Sequence, residues 1–226
     1  MQTRSLRFVA TPAKGEVGAL LVLPPSARAI LALAHGAGAG MEHPFMEDIA
    51  RALAERRVAT LRYRFPYTEA GGKRPDPPAV LEATVRAAAR AAAEAGAGLP
   101  VFAGGKSMGG RMTSRAASAG DGVAARGIVF LGFPLHAAGS PPNVERSAHL
   151  AAVPHPMLFL QGTRDALADL ELMRGVCGAL PGATLHVVDG ADHGFHVPKK
   201  SGRTDAQVIE ELAETTAAWV ERLLAR

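Results

Sequence analysis

The sequence contains little cysteine and few aromatic side chains. Cys177 is the single cysteine among 226 residues, and only 5% of the chain is phenylalanine, tryptophan or tyrosine. One cysteine cannot form an internal disulfide, which excludes a disulfide-stabilised scaffold and favours a reducing compartment. We therefore expect a cytoplasmic protein.

Neither the charge nor the apolar runs indicate a nucleic-acid or membrane partner. The 25 lysines and arginines stand against 21 acidic residues, a formal net charge of +4, and both signs are spread along the chain. The densest basic segment, residues 198–203, has no interleaved aromatic residue and is expected to be a solvated loop. Residues 1–10 lack an apolar signal segment, and runs such as 29–34 fall far short of the roughly 20 residues of a membrane helix. We therefore expect no nucleic-acid and no membrane partner.

Length and hydrophobic content are typical of a folded domain with a sizeable core. With 226 residues, 48% of them hydrophobic, the chain is far too apolar for intrinsic disorder. We find no internal repeat and no long linker. A single domain over residues 1–226 is therefore expected.

Short apolar runs alternate with segments of helical periodicity, which is the pattern of an α/β fold. Because parallel strands need crossover helices, we expect a mostly parallel sheet of about eight strands with helices on both faces. The proline-rich residues 133–155 are expected to be a loop with one helical turn. The predicted strands are residues 6–10, 17–23, 29–34, 58–63, 100–103, 127–131, 157–160 and 184–188, and the predicted helices are residues 45–57, 79–95, 107–119, 167–180 and 204–224.

The sharpest local signal is Gly-Lys-Ser-Met-Gly at residues 105–109, which matches G-x-S-x-G between a predicted strand and a predicted helix. Such a turn places Ser107 at the carboxyl end of the sheet, where the following helix favours a developing oxyanion. The same residues also match the end of a phosphate-binding loop, but that motif needs glycine where this chain has Pro100. A serine nucleophile is the preferred interpretation.

A serine nucleophile needs a base and an acid, which in this type of sheet follow it along the chain. Asp165 and His193 each follow a predicted strand, so they should lie at the same edge of the sheet as Ser107. We expect His193 to accept the proton of Ser107 and return it to the leaving group. Asp165 would hold the imidazole tautomer and stabilise the imidazolium.

Other acids and a second histidine lie close to these residues in the sequence. Asp169 falls on the predicted helix 167–180 and would point away, whereas Asp189 and Asp192 flank the histidine too closely to reach its far nitrogen. His196 is the alternative to His193, which is preferred because it comes first after the strand. A metal site at the two histidines lacks a third ligand at suitable spacing, so we expect neither a metal nor another cofactor.

Two backbone amides are expected to form an oxyanion hole. One belongs to Met108, the residue after the serine, and the other to the glycine-rich loop of residues 35–40. Ala37 is the first choice for the second donor and Gly38 the alternative, because the glycines let the amides turn inward. His35 is expected to brace this loop by hydrogen bonds rather than to act as a base.

These motifs together resemble those of the α/β-hydrolases over nearly the whole chain. Arg-Tyr-Arg-Phe-Pro-Tyr at 62–67 and Lys-Arg-Pro-Asp-Pro-Pro at 73–78 are more narrowly similar to a small bacterial branch of predicted hydrolases. That branch is similar to the hydrolase-like domain of a subunit of the eukaryotic NSL histone-acetyltransferase complex. It is more distantly similar to dienelactone hydrolases, which carry a cysteine where this chain has Ser107. The resemblance implies an eight-stranded sheet with an antiparallel second strand, and hydrolysis of an ester or related acyl bond.

Many α/β-hydrolases insert a lid before the acid loop, where this chain has only residues 133–155. We expect no cap domain and a shallow, open site for a small-molecule acyl substrate. Arg62 and Arg64 are candidates for holding an anionic group, although a solvated or salt-bridged role is preferred. The candidate pocket residues, each of which could instead belong to the core, are Met41, Phe65, Tyr67, Phe133 and Phe195.

The leading hypothesis is a serine hydrolase of the carboxylesterase or thioesterase type that forms an acyl-enzyme, as a monomer or homodimer. The alternative is a non-catalytic scaffold that keeps the fold and binds a protein partner. The joint presence of Ser107, Asp165 and His193 favours catalysis, since a decayed enzyme is expected to lose one of them.

Overall fold

The computed structural model describes residues 2–225, which form an eight-stranded sheet with helices on both faces. The strands are β1 (Thr3–Thr11), β2 (Gly15–Val22), β3 (Ala29–Ala34), β4 (Val58–Tyr63), β5 (Val101–Lys106), β6 (Ile128–Leu131), β7 (Met157–Gly162) and β8 (Ala183–Val188). The α-helices are α1 (Pro44–Glu55), α2 (Pro66–Glu69), α3 (Pro78–Ala95), α4 (Met108–Ser118), α5 (Leu170–Gly178) and α6 (Asp205–Leu224), and 3₁₀ helices cover Glu145–Ala152 and Lys199–Ser201.

The strands are arranged in the order β1-β2-β4-β3-β5-β6-β7-β8. β2 pairs antiparallel with both β1 and β4, and the remaining neighbours pair parallel. Helices connect most of the parallel strands, as crossovers of this kind require. The predicted mostly parallel sheet with an antiparallel second strand is confirmed.

Apolar side chains form a layer on each face of the sheet. One layer lies beneath α3, α4 and α5, and the other beneath α1 and α6. β3, in the middle, is buried along its whole length, which explains why its sequence is a continuous apolar run without alternation. Strand residues therefore contribute to both apolar layers. The helices cover the two faces of the sheet, and loops extend from the carboxyl ends of the parallel strands.

Two boundaries that differ from the sequence predictions have identifiable reasons. β5 continues to Lys106 rather than ending at residue 103, because Gly104 lies within the sheet, where a Cβ would come within 2.1 Å of the carbonyl oxygen of Val129. α5 begins at Leu170 rather than at residue 167, since the Asp169 side chain caps it. The 3₁₀ helix between β6 and β7 is longer than the single turn expected, and no cap domain is present among residues 2–225.

The loops that follow β3, β5, β7 and β8 leave the same edge of the sheet. They carry residues 35–40, Ser107, Asp165 and His193, respectively. Parallel pairing of β3 with β5, and of β7 with β8, brings these loops side by side. The fold thus gathers distant segments at one position, including Ser107 and His193, which are 86 residues apart in sequence.

Candidate active site

Ser107 lies on a strained turn between β5 and α4. Its backbone angles are φ 51° and ψ −115°, a conformation with positive φ that non-glycine residues rarely adopt. The flanking glycines allow close packing: a Cβ on Gly105 would lie 2.5 Å from the carbonyl oxygen of Ala34, and one on Gly109 would lie 2.6 Å from the same atom. The turn therefore holds the serine side chain clear of the helix that follows it.

Ser107, His193 and Asp165 form a continuous chain of hydrogen bonds. The Ser107 Oγ lies 2.8 Å from His193 Nε2, and His193 Nδ1 lies 2.8 Å from Asp165 Oδ2. Because a carboxylate only accepts, Nδ1 carries the proton, which leaves Nε2 free to accept from the serine hydroxyl. The Asp165 carboxylate is almost completely buried, with a side-chain exposure of 1%, whereas that of His193 is 25%.

Buried donors fix the Asp165 carboxylate. The Leu167 amide donates to Oδ1 at 2.8 Å, and the Gln161 side-chain amide donates to Oδ2 at 2.5 Å. The carbonyl oxygen of the Gln161 side chain in turn accepts from the Phe133 amide at 3.1 Å. Gln161 is fully buried, so it connects the acid loop to the end of β6. Its role was not predicted, because the sequence shows it only as a polar residue in an apolar strand.

The other acids near the predicted site have different partners. Asp169 caps α5, and Asp189 accepts from a threonine hydroxyl. Asp192 accepts from the amides of Gly194 and His196, and so shapes the loop that carries the histidine. Of these four acids, only Asp165 contacts the imidazole of His193.

His196 binds a different acid and lies at the rim of the site. Its Nδ1 contacts Asp205 Oδ2 at 2.7 Å, and 71% of the side chain is exposed. The hydrogen bond with Asp205 raises the pKa of His196 above its usual value. Within residues 2–225 no group of three or more histidine, cysteine or acidic side chains is arranged to hold a metal ion.

The glycine-rich loop after β3 lies against the serine. Gly36 and Ala37 line the same cavity as Ser107, and a Cβ on Gly36 would lie 3.7 Å from the serine Cβ. Met108 starts α4 directly after the serine. Gly38 has a positive φ of 73° but does not line the cavity. Ala37 thus lies beside Ser107 in the cavity, and the use of the Ala37 and Met108 amides as an oxyanion hole stays a prediction.

His35 is fully buried and fastens this loop to the next one. Its Nδ1 donates to the carbonyl oxygen of Gly36 at 2.8 Å, and its Nε2 accepts from the Phe65 amide at 3.4 Å. Burial lowers the pKa of His35, which keeps the ring neutral and able to accept. These contacts fit the expected bracing role.

A cavity of about 680 Å³ opens next to Ser107 and His193. Of the five predicted pocket residues, only Phe195 lines it; Met41, Phe65, Tyr67 and Phe133 lie in the buried interior. Aromatic packing explains why three of these four side chains lie in the interior. Phe65 stacks on Tyr67, and Phe133 packs edge-on against two phenylalanines of the sheet.

Arg62 and Arg64 lie outside the cavity. Arg62 is buried and donates to the carbonyl oxygen of Met41 at 2.8 Å, while Arg64 forms ion pairs with Glu42 and Glu69. They therefore have protein partners, as the preferred interpretation of their sequence positions predicted.

Phe45 and Lys106 are among the cavity residues that the sequence did not predict. Phe45, in the first turn of α1, stacks on Phe195 with ring centroids 5.6 Å apart. Lys106, the variable residue before the serine, donates from Nζ to the carbonyl oxygen of His193 at 2.5 Å. Burial lowers the pKa of Lys106 to about 8. Neither residue carries a local signal, because their partners come from distant segments.

Comparison with known proteins places this arrangement in a family. Residues 27–221 match the model of the alpha/beta hydrolase domain. The chain is similar to an alpha-beta serine hydrolase homologue from Coxiella burnetii, at 19% identity and a TM-score of 0.76, covering 95% of this chain and 98% of that one. It is also similar to a dienelactone hydrolase from Anabaena variabilis, at 19% identity and a TM-score of 0.73, covering 98% and 99%.

A third similar structure is a serine hydrolase without a lid from Xanthomonas campestris, at 19% identity and a TM-score of 0.73, covering 97% of this chain and 95% of that one. No curated protein matches the chain. Among residues 2–225, no helix combines the length and apolar character needed to span a membrane. On the strength of the family match, which extends over most of its length, the chain belongs to the alpha/beta hydrolase family.

Proposed function

We propose that this protein is a serine hydrolase that cleaves an ester or related acyl bond through an acyl-enzyme. The observation that carries the proposal is the uninterrupted chain from Ser107 Oγ through both nitrogens of His193 to Asp165, with both distances at 2.8 Å. A nucleophile, a base and an orienting acid in contact are the requirements of this chemistry.

The proposed reaction begins with attack of the Ser107 oxygen on the substrate carbonyl carbon. His193 Nε2 takes the hydroxyl proton, and the amides of Met108 and Ala37 stabilise the oxyanion. Collapse of the tetrahedral intermediate breaks the bond to the leaving group, which receives the proton from His193 and leaves an acyl-serine. Water then attacks the acyl carbon with His193 again as the base, releasing the acid and regenerating the serine.

The cavity favours a small or extended acyl group. Its volume of about 680 Å³ and its wall of Phe45, Phe195, Leu167 and Ile209 offer an apolar surface beside the serine. No cap domain covers it among residues 2–225. Bulky lipid chains, which need an enclosed site, fit this surface poorly, so short esters and thioesters are the proposed substrates.

The test is covalent labelling with a fluorophosphonate probe, read by peptide mass spectrometry. We expect label on Ser107 in the wild type and none in Ser107→Ala. Ser114 provides a matched control, because its Oγ also lies 2.8 Å from a histidine, His149 Nε2, but the serine is fully buried. Ser114→Ala should label like the wild type. An unlabelled, folded wild type would contradict the proposal and favour the non-catalytic scaffold.

A further inference from the structure

Lys106 connects the strand of the nucleophile to the loop of the histidine. It is the last residue of β5, and its side chain extends to the face of the sheet covered by α1 and α6. There Nζ donates to the carbonyl oxygen of His193 at 2.5 Å. One side chain adjacent to Ser107 thus holds the backbone of the residue whose imidazole contacts Ser107.

Two aromatic rings surround the ammonium group. Lys106 Nζ lies 5.3 Å from the ring centroid of Phe195 and 5.8 Å from that of Phe45. The two rings are nearly parallel, with an interplanar angle of 13°. Because the face of an aromatic ring attracts a cation, these contacts favour the charged form of the lysine and tie α1 to the histidine loop.

Acidic and basic groups from several loops face the same ammonium. Asp165 and Asp192 attract it, while the imidazoles of His193 and His196 lie nearby. Gly132, after β6, leaves room for this convergence: a Cβ there would lie 3.2 Å from Lys106 Nζ, 3.5 Å from His193 Nδ1 and 3.6 Å from Asp165 Oδ2. The lysine is therefore part of the surroundings of the histidine–aspartate pair.

We propose that Lys106 is a positioning residue for His193, and that its ammonium holds the histidine loop in the geometry needed for proton transfer with Ser107. The proposal rests on the proposed hydrolase function, because it assigns His193 the role of base. Lys106 itself does not contact the reacting atoms; it acts through the His193 carbonyl and through Phe195, which lies in the same loop.

The proposal leads to a distinctive dependence on pH. Burial lowers the pKa of Lys106 to about 8. When the ammonium loses its proton, the contact with the aromatic rings loses its electrostatic attraction and the bond to the His193 carbonyl becomes an ordinary neutral one. The rate should therefore fall as the pH rises through about 8, where Lys106 loses its proton.

The test compares three variants by kcat/KM for a short ester between pH 6 and pH 10. Lys106→Met removes the charge and keeps an unbranched chain, Lys106→Arg keeps a charge at every pH, and Lys199→Met changes an exposed lysine as the control. We expect Lys106→Met to lower kcat/KM at pH 7 by about 10- to 100-fold and to abolish the alkaline decline. Lys106→Arg should move that decline to higher pH, and Lys199→Met should match the wild type.

Wild-type kcat/KM together with a wild-type alkaline decline in Lys106→Met would overturn the proposal. The melting temperature at pH 7 shows whether Lys106→Met is folded. If it is not, the pH profile of Lys106→Arg decides the outcome, since an unchanged alkaline decline would refute the role of the lysine charge.

A second measurement separates this proposal from the hydrolase function. If the wild type takes no fluorophosphonate label, the assigned reaction fails, but amide hydrogen exchange still reports on the loop. Faster exchange of residues 192–196 in Lys106→Met than in the wild type at pH 7 would support the positioning contact. Unchanged exchange in those residues would contradict it.

Discussion

At the scale of single residues, the Asp165 carboxylate illustrates how buried polar groups maintain a functional geometry. Its oxygens accept bonds from the Leu167 amide, the Gln161 side chain and the His193 ring. A buried carboxylate is tolerated only when it is bonded in this way. Because Gln161 also satisfies the Phe133 amide, a single side chain connects two loops of the site.

Replacing Gln161 with leucine should therefore affect both stability and activity. The change leaves the Phe133 amide without an acceptor and removes a donor from Asp165. We expect the free energy of unfolding, measured in urea, to fall by about 1–3 kcal/mol, and the rate of serine labelling to fall with it. Asp189→Asn, at an exposed acid in the neighbouring loop, is the control. Wild-type values for both quantities in Gln161→Leu would show that the bond is dispensable.

At the scale of elements, the unit of β5, the turn at Ser107 and α4 depends on close backbone contact. Gly105 and Gly109 face the carbonyl oxygen of Ala34 at the end of β3, where a methyl group does not fit. This contact sets the distance between the serine turn and the glycine-rich loop. The glycines of the motif thus allow β3, β5 and α4 to pack closely, in addition to allowing the local bend at Ser107.

A pair of glycine-to-alanine variants tests this point. In Gly109→Ala the new Cβ would lie 2.6 Å from the carbonyl oxygens of Ala34 and His35, so we expect a loss of about 1–3 kcal/mol in the free energy of unfolding. Gly175, in α5, has no atom within 4 Å of an added Cβ. Gly175→Ala should instead raise stability by about 0.5–1 kcal/mol. Equal effects of the two substitutions in chemical denaturation would refute the packing argument.

At the scale of the whole molecule, one buried and two half-buried histidines should govern stability in acid. Burial lowers the pKa of His35, in the loop after β3, and of His149 and His155, which both lie between β6 and β7. For His149, burial and then the nearby Arg115 and Arg111 lower the pKa to about 4. The unfolded chain binds protons more readily at these positions than the folded one, so stability falls as the pH drops below the unfolded value of 6.5.

Removing His149 should weaken this dependence on pH. We expect the wild type to lose stability between pH 6.5 and pH 4, and His149→Gln to lose less by about 1–3 kcal/mol. His196 is the opposite case, because Asp205 raises its pKa and its small contribution is present at low pH and lost as the pH rises. Melting temperatures at pH 4.5, 6 and 8 test both. A steeper loss in His149→Gln than in the wild type would contradict the prediction.

Much of the fold was predictable because the relevant signals are local. β3 and β4 begin and end at the predicted residues, and the alternation of strands and helices implied a mostly parallel sheet. The end of β5 was not predictable, because Gly104 and Gly105 are typical turn residues and only the neighbouring backbone shows why glycine is needed within the strand. Within the site, Ser107, Asp165 and His193 were predicted to lie together because they follow strands and occur in the order serine, acid, histidine.

The sequence by itself determined the fold class, the motif at residues 105–109 and the candidates for nucleophile, acid and base, because each depends on residue type and on position relative to a strand. Only the tertiary structure decided which aromatic side chains face the cavity, that Gln161 holds the acid, and that Lys106 reaches the histidine loop. Strand pairing and side-chain packing bring together segments from distant parts of the chain, and no local pattern encodes those distances.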